Sequence, residues 1–241
     1  MTETAEQMDP FMPMQPDRAL ARLAENPVFS ALAQAQLLNL LEHSHLRCFQ
    51  RGQTIFDVGQ PCEGLHAVLD GHVKVYARAS DGHEKVIDVV GRGHSLPGTH
   101  QVRSEPHAYH ARALGDTALL VVPHEVLRNE LHLDRDMAAR LLEDAGRQVR
   151  RMMREIEITA LCSAAQRVCD YLLNLPTLSE HTSEISRVVT LPVSKGVVAS
   201  LLSITPEHFS RVLRELQTDG LIDMHQRTIR LLAPDRLAHR R

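Results

Sequence analysis

Residues Leu191–Leu232 read LPVSKGVVASLLSITPEHFSRVLRELQTDGLIDMHQRTIRLL, and their reading decides the fold. Val193 to Leu202 is an apolar-faced helix with Ser194 as N-cap. Ser203-Ile204-Thr205 is long enough only for a turn. Thr205 caps the next helix. Pro206 stands in its first turn, where a missing N–H costs nothing, and Glu207 places negative charge at the positive end of the helix dipole. Phe209, Val212, Leu213 and Leu216 recur at helical spacing, while the opposite face shows Glu207, His208, Ser210, Arg211 and Arg214. Asp219-Gly220 ends the helix.

Two helices across a three-residue turn, the second short, capped and polar on one face, form a helix-turn-helix suited to the major groove of DNA. An ordinary helical corner with a solvated face shares part of this pattern. Two details favour the DNA reader. Ala199 stands where the two helices must approach closely. The exposed groups also match base edges: Arg211 can donate two bonds to a guanine, Glu207 can accept from a cytosine amino group, and Ser210 can serve either. Downstream, Leu221-Ile222 and Thr228 to Leu232 flank a turn at His225 to Arg227 and make a hairpin, the wing, with Arg227 at its tip for a phosphate. The expected DNA-facing set is Ser203, Thr205, Glu207, His208, Ser210, Arg211, Arg214 and Arg227.

Upstream of the motif, Val188 to Pro192 adds a short strand, Ser179 to Ser186 is a polar linker, and Ser163 to Leu175 is a helix that buries Val168, Leu172 and Leu175. A long helix precedes it, from Arg135 to Ala160. Its apolar positions Ala138, Leu142, Ala145, Val149, Met152, Ile156 and Thr159 step by four and three, a heptad seam. Arg147, Arg150, Arg151 and Arg154 fall off that seam. A helix lying on its own domain is the alternative, but a stripe this narrow favours a coiled-coil dimer. A dimer also suits a reader whose single recognition helix covers one half-site.

From His45 to Val122 the period changes. Thr54 to Val58, Leu65 to Leu69, Val73 to Ala77, Lys85 to Val90 and Thr117 to Val122 are short aliphatic runs separated by glycines, with Asp70-Gly71 and Asp81-Gly82 as hairpin turns. This predicts an antiparallel sandwich or barrel. Ala19 to Leu41 is helical, broken at Asn26-Pro27, and His124 to Leu133 is helical again. The expected domains are a disordered tail 1–18, a β-roll with flanking helices 19–134, a dimerisation helix 135–160 and a winged helix-turn-helix 161–241, an α+β chain.

The chain has 241 residues, 43% of them hydrophobic, with no Trp and a net charge of −3. That charge argues against indiscriminate nucleic-acid binding. From Leu161 onward Lys and Arg number 10 against 8 acids, a mildly basic segment on an acidic body. The four cysteines (Cys48, Cys62, Cys162, Cys169) show neither C-x-x-C nor zinc spacing. Without a signal peptide or an apolar run of membrane length, a cytoplasmic protein with reduced thiols and no membrane partner is expected.

A glycine-punctuated roll, a long dimer helix and a winged helix-turn-helix, in that order, resemble the Crp/Fnr family of bacterial transcription regulators over residues 28 to 235. The carrying residues are the run GQPCEGLHAVLDGHVKVY with Gly59, Gly64, Gly71, Val73 and Val75, then DGHEKVI at Asp81 to Ile87 and EHFSR at Glu207 to Arg211. The resemblance implies a cyclic-nucleotide-binding-like roll, a homodimer on double-stranded DNA, RNA polymerase as a further partner, and no enzymatic activity. Glu207, Ser210 and Arg211 fall on the E-x-x-S-R pattern of the Fnr-like branch, which implies a palindrome of TTGAT-type half-sites. Ser203 departs from the Gly usual in the turn, which a negative φ would accommodate.

The resemblance also bears on the signal. The ribose-binding Glu of the cyclic-nucleotide branch is Gly98 here, and Arg103-Ser104 comes too early for the phosphate pair, so cyclic AMP is not expected. An iron–sulfur cluster needs clustered N-terminal cysteines, and Met1 to Asn26 has none. The wording KGVVASLLSITPEHFSR looks most like the Dnr branch, which implies a nitric-oxide response through bound haem. An axial ligand would come from His94, His100, His107 or His110, in or beside the sensing loop; His66, His72 and His83 lie on the roll, and the chain has 15 histidines in all. Surface histidines are the bland alternative. A thiol-responsive regulator using Cys48 or Cys62 is a further reading. A cupin-like metal enzyme is another, but the histidines lack the H-x-H order it needs and it leaves the helix-turn-helix unexplained.

Overall fold

In a computed structural model the described residues are 14–98, 104–177 and 187–240. The expected linker Ser179 to Ser186, His100, and most of the expected tail lie outside them. The elements are α1 (Pro16–Ala24), α2 (Gln34–Glu42), β1 (His45–Phe49), β2 (Thr54–Phe56), β3 (Gly64–Asp70), β4 (His72–Arg78), β5 (Glu84–Gly91), β6 (His110–Ala113) and β7 (Thr117–Pro123). They continue with α3 (His124–Leu133), α4 (Arg135–Leu161), α5 (Ala164–Asn174), β8 (Arg187–Thr190), α6 (Lys195–Leu201), α7 (Pro206–Thr218), β9 (Ile222–His225), β10 (Thr228–Leu231) and α8 (Pro234–His239). Helix α1 starts at Pro16, inside the stretch expected as a tail, because Pro there stands in the first turn and Ala19 and Leu23 bury against the roll.

The chain divides into two compact units, Met1–Arg78 with Ile87–Gln148, and Ala79–Val86 with Val149–Arg241. The boundary therefore falls within α4 and reassigns a hairpin tip, unlike the expected division at 134 and 160.

The first unit is the expected antiparallel roll. One sheet runs β1-β7-β3 and the other β2-β6-β4-β5. Strands β3 and β7 are buried on both faces, so they read as unbroken aliphatic runs rather than alternating ones. Val68 and Leu119 point between the sheets onto Phe56, Val73, Val75, Val90, Leu96 and Ala111. Their neighbours Leu65, Ala67, Leu69, Leu120 and Val122 point outward onto Leu23, Phe29, Leu37, Leu40, Leu127 and Met137. Gly64 is required where β3 crosses β7: a Cβ there would lie 1.9 Å from the Val122 carbonyl oxygen. Gly71 has φ +81°, as the tight β3–β4 turn demands.

The second unit holds the winged motif. Helices α6 and α7 meet at Ala199, which is fully buried, and the sheet β8-β10-β9 forms the wing. Within this unit Lys85 Nζ donates to the Ser200 and Leu201 carbonyls at the end of α6, and the Val86 N–H donates to Ser200 Oγ. Burial pulls the Lys85 amine below its ordinary range. No helix among the described residues is long and apolar enough to cross a membrane.

Candidate nucleic-acid interface

The recognition helix is built from local rules. Thr205, in extended backbone, accepts a hydrogen bond from the His208 N–H at 3.2 Å, and Pro206 follows at the first helical position. Phe209, Val212, Leu213 and Leu216 are buried, as their spacing predicts. That burial turns the remaining face outward. Glu207, Arg211 and Arg214 are exposed, while His208 and Ser210 are half-buried. The partner helix starts at Lys195, two residues after Val193, with Ser194 as the expected cap, its Oγ accepting from the Val197 N–H.

The turn itself corrects one expectation. Ser203 has φ +56°, the left-handed region, so the missing glycine is not accommodated by a negative φ. The conformation is held from outside: Arg167 Nη1 on α5 donates to the Leu202 carbonyl at 2.8 Å and the Ser203 carbonyl at 3.4 Å. Arg227 is exposed at the wing turn, next to Gln226 at φ +55°, and its carbonyl accepts from the Leu191 N–H. All eight expected DNA-facing residues thus lie on α7, its preceding turn or the wing tip.

The heptad seam lies on the open side of α4. Leu142 is 75% exposed, Val149 56%, Met152 42% and Ile156 71%, whereas Met137, off the seam, is fully buried. Ala138 and Thr159 are exposed and Ala145 half-buried.

The three candidate ligand histidines among the described residues are not brought together. His94 is exposed, and His100 lies outside the described residues. His110 points to the outer face of its sheet, where Nδ1 meets Asp57 Oδ1 at 2.7 Å and the ring stacks on Tyr76. Only His107 enters the interior between the sheets. It is 3% exposed and stacks on Phe56 with centroids 3.4 Å apart. Its companion is His66, also 3% exposed, with ring centroids 5.5 Å apart. His66 Nδ1 lies 3.0 Å from the Gly64 carbonyl, which makes that nitrogen the donor. Tyr109 adds a phenol pushed far above its ordinary value by burial, and the buried Cys62 thiol is pushed up for the same reason.

Sequence reading placed His66 on the roll without a role and passed over Phe56 and Tyr109. A histidine inside the otherwise aliphatic run of β3 could have flagged His66, but the pairing that aims it and Phe56 at His107 is non-local. For a haem, the donor chemistry fits at His66 and His107, two buried imidazoles, one with its second nitrogen already committed to a backbone carbonyl. Cys48 is exposed, Cys162 half-buried, and Cys62 and Cys169 buried, all as free thiols. Among the described residues no three His, Cys, Asp or Glu side chains converge to hold a metal ion.

Comparison with known proteins matches these two regions separately. Residues 46–134 match the profile of the cyclic nucleotide-binding domain, and residues 166–240 that of the Crp-like helix-turn-helix domain. The fumarate and nitrate reduction regulatory protein of Escherichia coli strain K12 is 25% identical over 84% of this chain and 80% of its own. The transcriptional activator protein FnrA of Stutzerimonas stutzeri is 24% identical over 77% of this chain and 76% of its own. The solved structure of FixK2 from Bradyrhizobium japonicum superposes with a TM-score of 0.71 over 81% of this chain and 96% of its own, at 22% identity.

Proposed function

The chain is a DNA-binding transcription regulator of the Crp/Fnr family, and from that premise we propose that it acts as a homodimer on palindromes of TTGAT-type half-sites. The family consists of regulators rather than enzymes. The observation that carries the half-site is the E-x-x-S-R pattern of Glu207, Ser210 and Arg211 on the open face of a capped helix. Arg211 donates to a guanine edge, and Glu207 accepts from the amino group of a cytosine. The exposed apolar seam of α4 supplies the dimer contact, since so much aliphatic surface on one stripe calls for a cover. A second protomer covers it and brings the second recognition helix to the other half-site. We place the protein in the cytoplasm, with RNA polymerase as a further partner.

For the signal, we propose a nitric-oxide response through haem held by His66 and His107 of the roll. Bound haem would supply an iron that takes up nitric oxide. The chain's own part is to present buried imidazole nitrogen and to exclude water through Phe56 and Tyr109. A cyclic nucleotide is not the effector on this reading, because Gly98 offers a ribose no carboxylate and His107 takes up interior space.

The DNA reading is tested by anisotropy with a TTGAT palindrome and a scrambled duplex. Arg211→Ala is expected to cost about 1–3 kcal/mol of specific binding; an unchanged specific affinity would overturn it. The sensor reading is tested by titrating haem into the dimer and adding nitric oxide. A Soret band that shifts with the gas, and fades in His107→Ala, supports it. A flat spectrum removes haem and turns attention to a Cys48→Ser, Cys62→Ser pair assayed for redox-dependent DNA binding.

A further inference from the structure

The polar face of α7 does not end at its base-reading residues. Arg211, Arg214, Glu215 and Thr218 continue along the helix and line one wall of an open groove of ≈ 430 Å³. Asp219 closes one end, and the other wall is Arg240, the residue that caps α8 beyond the wing. Three guanidinium groups thus converge from two elements. Two are already matched to carboxylates: Arg240 Nη2 to Asp219 Oδ2 at 2.5 Å, and Arg211 Nε loosely to Glu215 Oε1 at 3.9 Å. Arg214 enters no ion pair among the described residues. The Arg240 side chain stays 46% exposed beside its partner, so its guanidinium can still accept a second anion.

We propose that this groove seats a phosphodiester group of the DNA duplex flanking the bases read by Arg211, with Arg214 and Arg240 as the two cations that hold it. The proposal rests on the DNA reading above and adds a residue from outside the motif, Arg240. Arginine suits the task because its planar fork meets two phosphate oxygens at once. Asp219 has a double effect. It fixes where Arg240 lies, and it competes with phosphate for the same guanidinium. The contact carries no base information; it sets the register of α7 on the backbone, as phosphate contacts do.

The test uses the full-length protein, a TTGAT palindrome and a scrambled duplex, with binding measured across a salt series. Each phosphate neutralised contributes roughly 0.9 to the slope of log K against log salt. Arg240→Ala is expected to lower that slope by about one and to weaken both duplexes by the same factor, roughly three- to tenfold. Asp219→Asn removes the same ion pair but frees the cation. It is expected to move the other way, with tighter binding and an undiminished slope. A purely structural ion pair would make both variants weaken binding together with the slope unchanged, and that result would overturn the proposal. Inorganic phosphate replacing chloride at fixed ionic strength separates the two sources of the anion. Inorganic phosphate that binds the wild type without displacing DNA, and whose binding is lost in Arg240→Ala, would assign the groove to a free anion and overturn the backbone contact. Failure of the wild type to bind any duplex would instead remove the DNA reading beneath it.

Discussion

The two cores of the molecule are built from different materials. Around α7 the interior is largely aliphatic: Phe209, Val212, Leu213 and Leu216 are buried in the same unit as Val198, Ala199, Val168, Leu172 and Ile229, with Cys169 a buried thiol and no buried histidine among that unit's described residues. The roll interior sets His66, His107 and the half-buried Tyr109 around Phe56, and buries Cys62 and His124 as well. His124 Nε2 donates to the Cys62 carbonyl while its Nδ1 is buried without a hydrogen-bond partner. A core that only has to hold a helix in place gains nothing from buried imidazoles, polar groups that cost free energy to bury without a partner. The roll instead keeps two buried imidazoles in ring contact with each other and with Phe56.

The strongest challenge to this contrast is Phe209→Ala. It leaves a cavity in a core with no polar group to relax into it, and is expected to destabilise the second unit by about 3–5 kcal/mol in denaturant titration. His107→Phe, by contrast, fills the same volume in the roll and is expected to change stability by less than about 1.5 kcal/mol while abolishing any haem response. A large loss of stability there would make the roll histidines structural. Smaller effects sharpen the picture of α7. Thr205→Ala removes a cap and should cost about 1 kcal/mol of stability. Ser203→Gly relieves a left-handed serine and should return about 1 kcal/mol, read as a rise in melting temperature. A further effect is alkaline. Burial pushes the Tyr171 phenol of α5 up to about 12. The folded state then holds that proton when the unfolded chain releases it, so its contribution is complete below pH 10 and declines as pH rises from 10 towards 12. Tyr171→Phe should flatten this part of the stability profile, as followed by circular dichroism.

The same contrast explains what could be read in advance. The α7 signals are local: a cap, a proline, four apolar residues at helical spacing and a stop all lie within sixteen residues of one another. Helices α3 and α4 and the wing hairpin were legible for that reason too. Strands β1 and β6 were not. The sequence HLRCF mixes charge with apolar residues at a sheet edge, and HARA has two alanines where longer aliphatic side chains would announce a buried strand. Both are strands because β7 and β4 pair with them across the fold, which no window along the chain contains. The histidine cluster was hidden likewise. His66 and His107 are some forty residues apart, and only the roll's pairing faces them across Phe56. The positive φ of Ser203 depends on a distant arginine, Arg167, and so escaped a reading of the turn alone.

Strand β7 has a consequence for how the chain is made. It lies between β1 and β3 in its sheet and supplies side chains to both layers of the roll. Yet β1 ends at Phe49 and its partner begins only at Thr117. At synthesis rates of about 5–20 residues per second, β1 waits roughly 3–14 seconds for the strand that completes its pairing. During that interval β1 and β3 present unsatisfied edges to any neighbouring chain, the condition under which nascent β-proteins associate wrongly. The charged and polar side chains of His45, Arg47 and Cys48, exposed in the finished sheet, are then the residues guarding an unfinished one. Their replacement by valine should show as aggregates during expression rather than as lost stability in the folded protein.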